Sequence, residues 1–347
     1  MERQRKNPVQ KFLSIRGMPS SLIAFVALIV IFIVFGLKED SIFSSANILN
    51  LLRSMSKYLL VGVGQSYLLI TGNIDLSIGS VVGMSAMISA TLMSTGTNPF
   101  IACLITLVCC LLVGLINGIL VGKFRLPPFI ATLGTMFAAR GIAYMVNANR
   151  NTNDIASGIG KEAAGRFQNL FYYGKTLGIY NTFWISLLIF IVFFFLLSKT
   201  RTGRHIYAIG SNIEAAKLSG VNTFATVSKA YMVSAFCAFA VGLILCAQAG
   251  MGNMEAGNTY EMYGVAAGVI GGISPLGGTG LLLGTLAGAA VWQTLENGLN
   301  MIGAQVGLQR IVIGVIVVFS VLLDVVVRGG SANKKLRSLF SREKESA

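Results

Sequence analysis

Long uninterrupted apolar runs are the feature of this sequence that most constrains its fold. Residues 21–37, 100–121, 182–198 and 311–327 contain almost no charge. A helix needs about 17–25 such residues to cross the hydrocarbon core of a bilayer. The runs are continuous rather than alternating, so they indicate membrane-spanning helices and not barrel strands. The expected fold is an all-α, polytopic membrane helical bundle.

The apolar runs divide the chain into about ten predicted transmembrane helices. These spans are 21–37, 58–71, 78–94, 100–121, 127–148, 182–198, 229–248, 263–274, 280–302 and 309–327. Three of them are short for a bilayer, so eight or nine spans are alternatives. The predicted domains are a basic N-terminal tail over 1–20, a transmembrane domain over 21–327 and a basic C-terminal tail over 328–347. No small-residue cleavage site follows the first run, which is therefore interpreted as an uncleaved span.

The distribution of Lys and Arg predicts the orientation of the spans. With the N-terminus inside, eighteen of the 27 Lys and Arg residues lie in cytoplasmic segments and eight lie outside. Cytoplasmic segments of membrane proteins carry such an excess, so both termini are expected in the cytoplasm. The same placement of Lys and Arg accounts for the net charge of +14. Membrane lipid is therefore the expected partner, and not nucleic acid.

The loops are too short to form a catalytic domain. The two longest are an outer loop over 148–181 and an inner loop over 199–228, whereas a stable core needs at least about 40 residues. No G-x-x-x-x-G-K-[ST] phosphate-binding loop is present, so the chain is not expected to hydrolyse ATP. No catalytic residue, cofactor or metal site is predicted. The five Cys lie in apolar runs, where packing is a simpler interpretation than a redox or metal role.

The inner loop contains a short predicted helix. Asn212 can cap its start, and Glu214 in the first turn suits the positive end of the helix dipole. Ala215 and Ala216 are strong helix formers, and Gly220 can end the helix in the left-handed conformation. The small side chains suit docking in a groove of another protein, while a simple connector packed on its own spans is the alternative.

Polar residues interrupt the apolar sequence at T-G-N-I-D-L-S-I-G-S, residues 71–80. A helix break in a membrane frees backbone groups that have little water to bond, so nearby side chains must satisfy them. Asp75 or Ser77 is expected to cap the next helix, and Asn73 to close the turn through its side chain. A second break is predicted where Pro275 forbids a continuous helix. For the first break, a structural cap is favoured over direct contact with a solute.

Three motifs stand in a fixed order along the chain. They are G-N-I-D-L-S-I-G-S, T-G-R-x-I-Y-A-I-G-S-N-x-E-A-A-K-L-S-G-V and G-V-I-G-G-I-S-P-L-G-G-T-G. Together they resemble the membrane permeases of ATP-binding-cassette importers for ribose, galactose, xylose and similar small sugars, a family with a branch for autoinducer-2. The likeness extends from about residue 45 to 327.

The resemblance implies a ten-span, multi-pass permease of the bacterial cytoplasmic (inner) membrane. Such a permease dimerises with a second copy or a paralogue, binds two ATPase subunits and receives sugar from an extracytoplasmic binding protein. In these importers a short helix between the sixth and seventh spans rests in a cleft of the ATPase. The resemblance carries this coupling role onto Asn212, Glu214, Ala215, Ala216 and Gly220.

Polar side chains inside the predicted spans are candidates for lining a translocation path, because a sugar needs hydrogen-bonding partners along its route. Hydrogen bonds that hold the helices together are the alternative role for each. Arg140 is costly to bury, so it is expected to be functional or to pair with Glu296. The candidates are Gln65, Asn73, Asp75, Asn117, Thr132, Thr135, Arg140, Gln293, Glu296, Asn297 and Asn300.

Two other classes of function are alternatives to the sugar permease. An ion-coupled secondary transporter of a small polar solute would usually place an acidic residue or proton relay in mid-membrane, and Glu296 alone qualifies. A non-transporting receptor or scaffold would normally pair its spans with a soluble signalling domain. The sequence therefore favours the sugar permease.

Overall fold

A computed structural model describes residues 18–305 and, beyond them, 307–309, 311, 312, 314, 315, 318 and 322. The C-terminal tail, most of the tenth predicted span and all but the last three residues of the N-terminal tail lie outside the described residues. The long helices are α1 (Met18–Gly36), α2 (Ser45–Ile70), α3 (Ile78–Ser94), α4 (Pro99–Gly122), α5 (Pro128–Met145), α8 (Asn181–Lys199), α11 (Thr223–Ala249), α12 (Tyr260–Ile270) and α13 (Leu282–Met301).

Shorter elements form the two large loops. The outer loop contains α6 (Ala156–Ile159), α7 (Lys161–Gln168), a π-helical turn (Asn169–Tyr173) and a hairpin of β1 (Lys175–Thr176) and β2 (Ile179–Tyr180). The hairpin is antiparallel, with Lys175 opposite Tyr180. The inner loop contains α9 (Arg201–Ser211) and α10 (Ile213–Leu218), and a 3₁₀ turn (Asp40–Phe43) joins α1 to α2.

The long helices lie at the predicted spans, but α11 begins at Thr223 rather than residue 229, α12 ends at Ile270 rather than residue 274, and the largest difference is at the start of α2. Hydropathy places the second span at 58–71, but the helix begins at Ser45. The Ser44 hydroxyl caps this start by accepting a hydrogen bond from the Asn47 N–H at 3.2 Å, and no residue breaks the helix before the apolar part. Three described helices, α4, α8 and α11, are long and apolar enough to cross a membrane on those two criteria.

The bundle has a buried centre and an apolar outer layer. The apolar window of α11 is 78% buried, whereas those of α4 and α8 are 22% and 28% buried. α11 packs against α2, α3 and α4, while α13 packs against α1, α2 and α12. The outward faces of α1, α4, α5 and α8 expose many large apolar side chains, which is the pattern of helices that face lipid.

Glycines allow the close approach of α4 and α11. A side chain on Gly118 would lie 2.6 Å from the Ser228 Cα, and one on Gly114 would lie 2.8 Å from the Tyr231 carbonyl. The two glycines are four residues apart, so they lie on one face of α4. Such small-residue faces bring membrane helices into backbone contact, and they fix α4 against the centre of the bundle.

Candidate functional site

The first polar break closes the end of α2. The Gly72 N–H donates to the Leu69 carbonyl at 2.9 Å, and the Asn73 N–H donates to the Leu68 carbonyl at 2.9 Å. Gly72 has a φ of +76°, so these bonds form the glycine-terminated helix end known as the Schellman motif. The Asn73 amide also donates to Thr71 Oγ1 at 2.8 Å, as expected for a side chain that closes the turn.

Asp75 caps the start of α3. One of its carboxylate oxygens accepts from the Ser77 N–H at 2.8 Å and from the Ser77 hydroxyl. The other accepts from Ser234 Oγ on α11 at 2.7 Å. Ser77 makes no capping bond through its own side chain, so of the two predicted caps the structure uses Asp75. The carboxylate is only 3% exposed, and these bonds satisfy its buried oxygens.

A hydrogen-bond network extends from the break into three helices. The Asn117 amide donates to Ser77 Oγ at 2.9 Å, and the Thr135 hydroxyl donates to Asn117 Oδ1 at 2.7 Å. The Gln65 side chain donates to the Asp75 carbonyl and accepts from the Asp75 N–H at 3.3 Å. Gln65 and Asn117 are 0% and 1% exposed. The network therefore ties α2, α4 and α5 to the break, and its members face one another.

Arg140 does not pair with Glu296, and that prediction is wrong. The Arg140 guanidinium donates to the Met254 carbonyl at 2.9 Å and to the Ala256 carbonyl at 2.8 Å. Depth along two helices does not determine which of their faces meet. Arg140 on α5 faces the segment after α11, so its charge is stabilised by backbone carbonyls instead of a carboxylate.

Two candidates on α13, Glu296 and Asn297, contact α2. The Tyr58 hydroxyl donates to Glu296 Oε2 at 2.7 Å, and the Asn297 amide donates to Asn47 Oδ1 at 2.9 Å. Gln293 is 7% exposed, and its buried Oε1 has no partner among the described residues. The bonds of Glu296 and Asn297 therefore join α13 to α2.

Two further candidates form hydrogen bonds with residues nearby in the sequence. The Thr132 hydroxyl donates to the Pro128 carbonyl of its own helix at 2.8 Å. Asn300 Oδ1 accepts from Gln309 Nε2 at 2.8 Å. The structure thus gathers Gln65, Asp75, Asn117 and Thr135 into one network and leaves the other candidates at separate places.

The sequence predicted separate spans at 229–248 and 263–274, but not that the break between α11 and α12 packs inside the bundle. Gly250 and Gly257 in this segment have φ angles of +69° and +73°. A side chain on Gly257 would overlap the Gly79 carbonyl, and one on Gly79 would overlap the Glu261 carboxylate. The starts of α3 and α12 therefore meet inside the bundle. The available signal was G-M-G-N-M-E-A-G-N at 250–258, a glycine- and Asn-rich stretch after a long apolar run.

The predicted break after α12 is present and resembles the end of α2. Gly272 has a φ of +86°, and the Ile273 N–H donates to the Gly268 carbonyl at 3.0 Å. The loop then reaches the first break, where the Gly278 N–H donates to the Ile70 carbonyl at 2.8 Å. The two breaks are therefore in direct backbone contact.

The inner loop packs on both breaks through Gly210 of α9. A side chain on Gly210 would overlap the Ile70 carbonyl and lie 2.5 Å from the Gly278 nitrogen. One on Gly277 would lie 2.8 Å from the Gly210 carbonyl and 3.0 Å from the Gly72 nitrogen. These glycines, at 72, 210, 277 and 278, form a glycine junction that joins the ends of α2 and α12 to α9.

The short helix α10 forms where the sequence predicts it. Asn212 Oδ1 accepts from the Ala215 N–H at 2.9 Å, and Gly220 has a φ of +80°. Glu214 lies in the first turn and Lys217 in the last, where each charge complements the helix dipole. The predicted cap and the left-handed end are both confirmed.

The exposed face of α10 differs from the small-residue face that the sequence suggested. Ala216 is 5% exposed, because it packs against the protein itself, whereas Leu218 is 89% and Ile213 is 50% exposed. Ala215 is also exposed. The surface available to a second protein therefore includes two apolar side chains larger than alanine, Ile213 and Leu218.

Two cavities flank these elements. An inner cleft of about 500 Å³ lies beside α10 and the first break, and its polar lining includes Asn73, Arg125, Asn212, Glu214 and Lys217. A side cavity of about 630 Å³ borders α12 and α13, and its lining includes Leu76, Glu261, Tyr263, Trp292 and Glu296. Glu296 is thus the sequence-predicted candidate of α13 that lies on a cavity.

The residues that the structure describes contain no group of three His, Cys, Asp or Glu side chains that could hold a metal ion. The five cysteines are free thiols, and Cys110, Cys237 and Cys246 are buried. Packing accounts for these three side chains.

Comparison with known proteins identifies relatives over most of the chain. The sequence model of one family, described as "Branched-chain amino acid transport system / permease component", matches residues 47–321. The chain is 32% identical over 324 residues to the ribose import permease RbsC of Bacillus subtilis, covering 93% of this chain and 98% of the relative.

Two further relatives carry other names. The galactose/methyl galactoside import permease MglC of Escherichia coli is 33% identical over 314 residues, which is 86% of this chain and 92% of the relative. The autoinducer 2 import system permease LsrC of Salmonella typhi is 29% identical over 321 residues, 92% of this chain and 88% of the relative. No solved structure matches significantly.

Proposed function

Because the chain belongs to the family of transport-system permease components whose model matches residues 47–321, we propose that it is the membrane-spanning subunit of a small-sugar ATP-binding-cassette importer. The relatives named for ribose and for galactose import support a sugar as the substrate. The chain is a transport subunit and not an enzyme. ATP hydrolysis belongs to a partner.

The exposed helix α10 is the observation that supports this function best. Leu218 and Ile213 expose 89% and 50% of their surface on a helix that is capped at both ends, and large exposed apolar groups commonly mark protein interaction sites. The glycine junction places α9 directly against both breaks. Motion of an ATPase bound at α10 would thus be transmitted to the breaks through backbone contacts.

The partners of the proposed importer follow from the family. Two ATPase subunits bind at the coupling residues Asn212, Glu214, Ala215 and Gly220 together with the exposed apolar side chains of α10. Ala216 supports this helix from its inner side. An extracytoplasmic binding protein delivers the sugar, and a second copy or a paralogue completes the dimer in the bacterial cytoplasmic membrane.

The translocation candidates divide into two proposed roles. Glu296 lies on the side cavity with Tyr263 and Trp292, so we assign it to the sugar path. The buried network of Gln65, Asp75, Asn117 and Thr135 holds the first break in place. Arg140 fixes the break after α11 by its bonds to two carbonyls. About ten spans with both termini in the cytoplasm complete the proposed topology.

Labelling of single cysteines tests the proposed orientation. After removal of the five native cysteines, a cysteine at Ser211 should resist an impermeant thiol reagent added outside intact cells, because α9 and α10 face the cytoplasm. A cysteine at Ser157 in the outer loop should react. Both serines are exposed, so accessibility within the fold does not bias the comparison. Labelling of Ser211 from outside would overturn the orientation and the ATPase docking with it.

A further inference from the structure

A third cleft of about 450 Å³ opens between α2, the end of α11 and the segment that follows α11. It shares no lining residue with the inner cleft or the side cavity. The proposed orientation places it on the outer face, so we call it the outer cleft. Its polar lining residues are Lys57, Gln248, Asn253, Glu255, Asn258 and Tyr260.

Much of the hydrogen-bonding capacity of the outer cleft is unused. The Lys57 ammonium contacts Gln248 Oε1 at 3.4 Å, and within the described residues it forms no salt bridge. The Asn258 amide and the Tyr260 hydroxyl bond to no other described residue. Asn253, Glu255 and Asn258 are exposed, so other described parts of the chain do not cover them.

The charges of the lining favour a neutral ligand. Lys57 and Glu255 have opposite formal charges, so the formal charges of the lining balance. The remaining polar groups are amides and a phenol, which both donate and accept hydrogen bonds, as the hydroxyl groups of a polyol do. The volume falls within the range of about 300–1,000 Å³ typical of small-molecule sites.

The outer cleft is also held in shape before any ligand binds. Asn253 Oδ1 accepts from the Glu255 N–H at 2.9 Å, and the Tyr144 hydroxyl donates to Glu255 Oε1 at 3.1 Å. The Tyr260 ring lies 5.4 Å from the Tyr263 ring between centroids, which fixes an apolar surface for the C–H face of a ligand. A preformed site loses less conformational freedom on binding.

We propose that the outer cleft binds a neutral polyhydroxylated molecule of monosaccharide size, as the first site in the permease after the binding protein releases it. This assignment rests on the proposed function. The cleft lies next to the first break, because Gly257 in its wall contacts Gly79 at the start of α3. A ligand in the cleft thus lies beside the segment that the buried network holds in place.

Ligand binding to the purified permease alone, in lipid nanodiscs, tests the assignment. Saturation-transfer NMR with D-ribose, D-galactose and L-leucine as separate probes should detect one or both sugars and not leucine. Tyr260→Phe and Gln248→Leu each remove hydrogen-bonding groups, so each should weaken sugar binding about 5- to 10-fold. Tyr180→Phe removes a hydroxyl from the outer hairpin, away from the cleft, and should leave binding unchanged.

Two results would overturn the assignment. One is unchanged sugar affinity in both variants, and the other is binding of leucine in place of the sugars. Uptake by the complete importer separates this failure from that of the proposed function. If the wild-type importer transports a sugar and the variants transport it equally well, only the outer cleft is wrong. If the wild type transports none of the sugars, the proposed function is wrong.

Discussion

Replacing Leu218 with Asp should abolish co-purification of the partner ATPase with this permease. Leu218 is 89% exposed, so the substitution disturbs no packing within the chain. Burial of a leucine in a partner's cleft contributes about 1.5–3 kcal/mol, and burial of an unpaired carboxylate in the same place costs about 3–5 kcal/mol. Together these terms weaken the complex by at least about 10³-fold.

A matched control separates docking from a general effect of the new charge. Leu177 is 87% exposed in the turn between β1 and β2, on the opposite side of the bundle in the proposed topology. Leu177→Asp should leave ATPase binding and uptake at wild-type levels. A well-inserted Leu218→Asp protein that binds the ATPase normally would contradict the docking role of α10. Ala216 is unsuitable for this test, because it is buried against the protein itself.

Replacing Gly210 with Ala should stop transport while the ATPase still binds. An exposed Gly→Ala change inside a helix ordinarily stabilises a protein by about 1 kcal/mol. Here the new methyl group would overlap the Ile70 carbonyl, and overpacking of this kind costs about 1–3 kcal/mol. The glycine junction must therefore shift, which separates α9 from the two breaks while leaving α10 exposed. The measurements are sugar uptake, ATPase co-purification and the midpoint of thermal unfolding.

Gly141 of α5 supplies the control, since a side chain there meets no atom within 4 Å. Gly141→Ala should keep or slightly raise the thermal midpoint and should transport normally. Wild-type uptake by a properly inserted Gly210→Ala protein would show that the glycine junction does not carry the coupling. Loss of ATPase binding in the Gly210→Ala protein would also contradict the proposal, because the glycine junction would then affect docking as well as the transmission of motion to the breaks.

Local features of the fold were predictable because they depend on neighbouring residues alone. The apolar runs give the long helices, since a span must be continuous and uncharged. Asn212 and Gly220 mark the ends of α10 because a cap needs a short polar side chain and a left-handed end needs glycine. Asn73 and Asp75 satisfy the first break partly through side-chain bonds to Thr71 and Ser77, each two residues away.

Contacts between helices were not predictable in the same way. The predicted spans place Arg140 and Glu296 at similar depths, but hydropathy does not give the rotation of one helix relative to another. The break after α11 is stabilised by Gly79 and by Arg140, which are distant in sequence. Ala216 faces inward because of how α10 lies on the bundle, a property that small side chains alone do not determine.

Uptake by proteoliposomes tests whether this permease imports sugar by ATP-driven transport. The permease would be reconstituted with its ATPase, with ATP and a regenerating system inside the vesicles, and with the binding protein and labelled sugar at the outer face. Sugar uptake should require ATP and should continue when a protonophore collapses the proton gradient. Uptake that needs no ATP, or that stops on addition of the protonophore while internal ATP stays constant, would contradict ATP-driven transport in favour of an ion-coupled transporter.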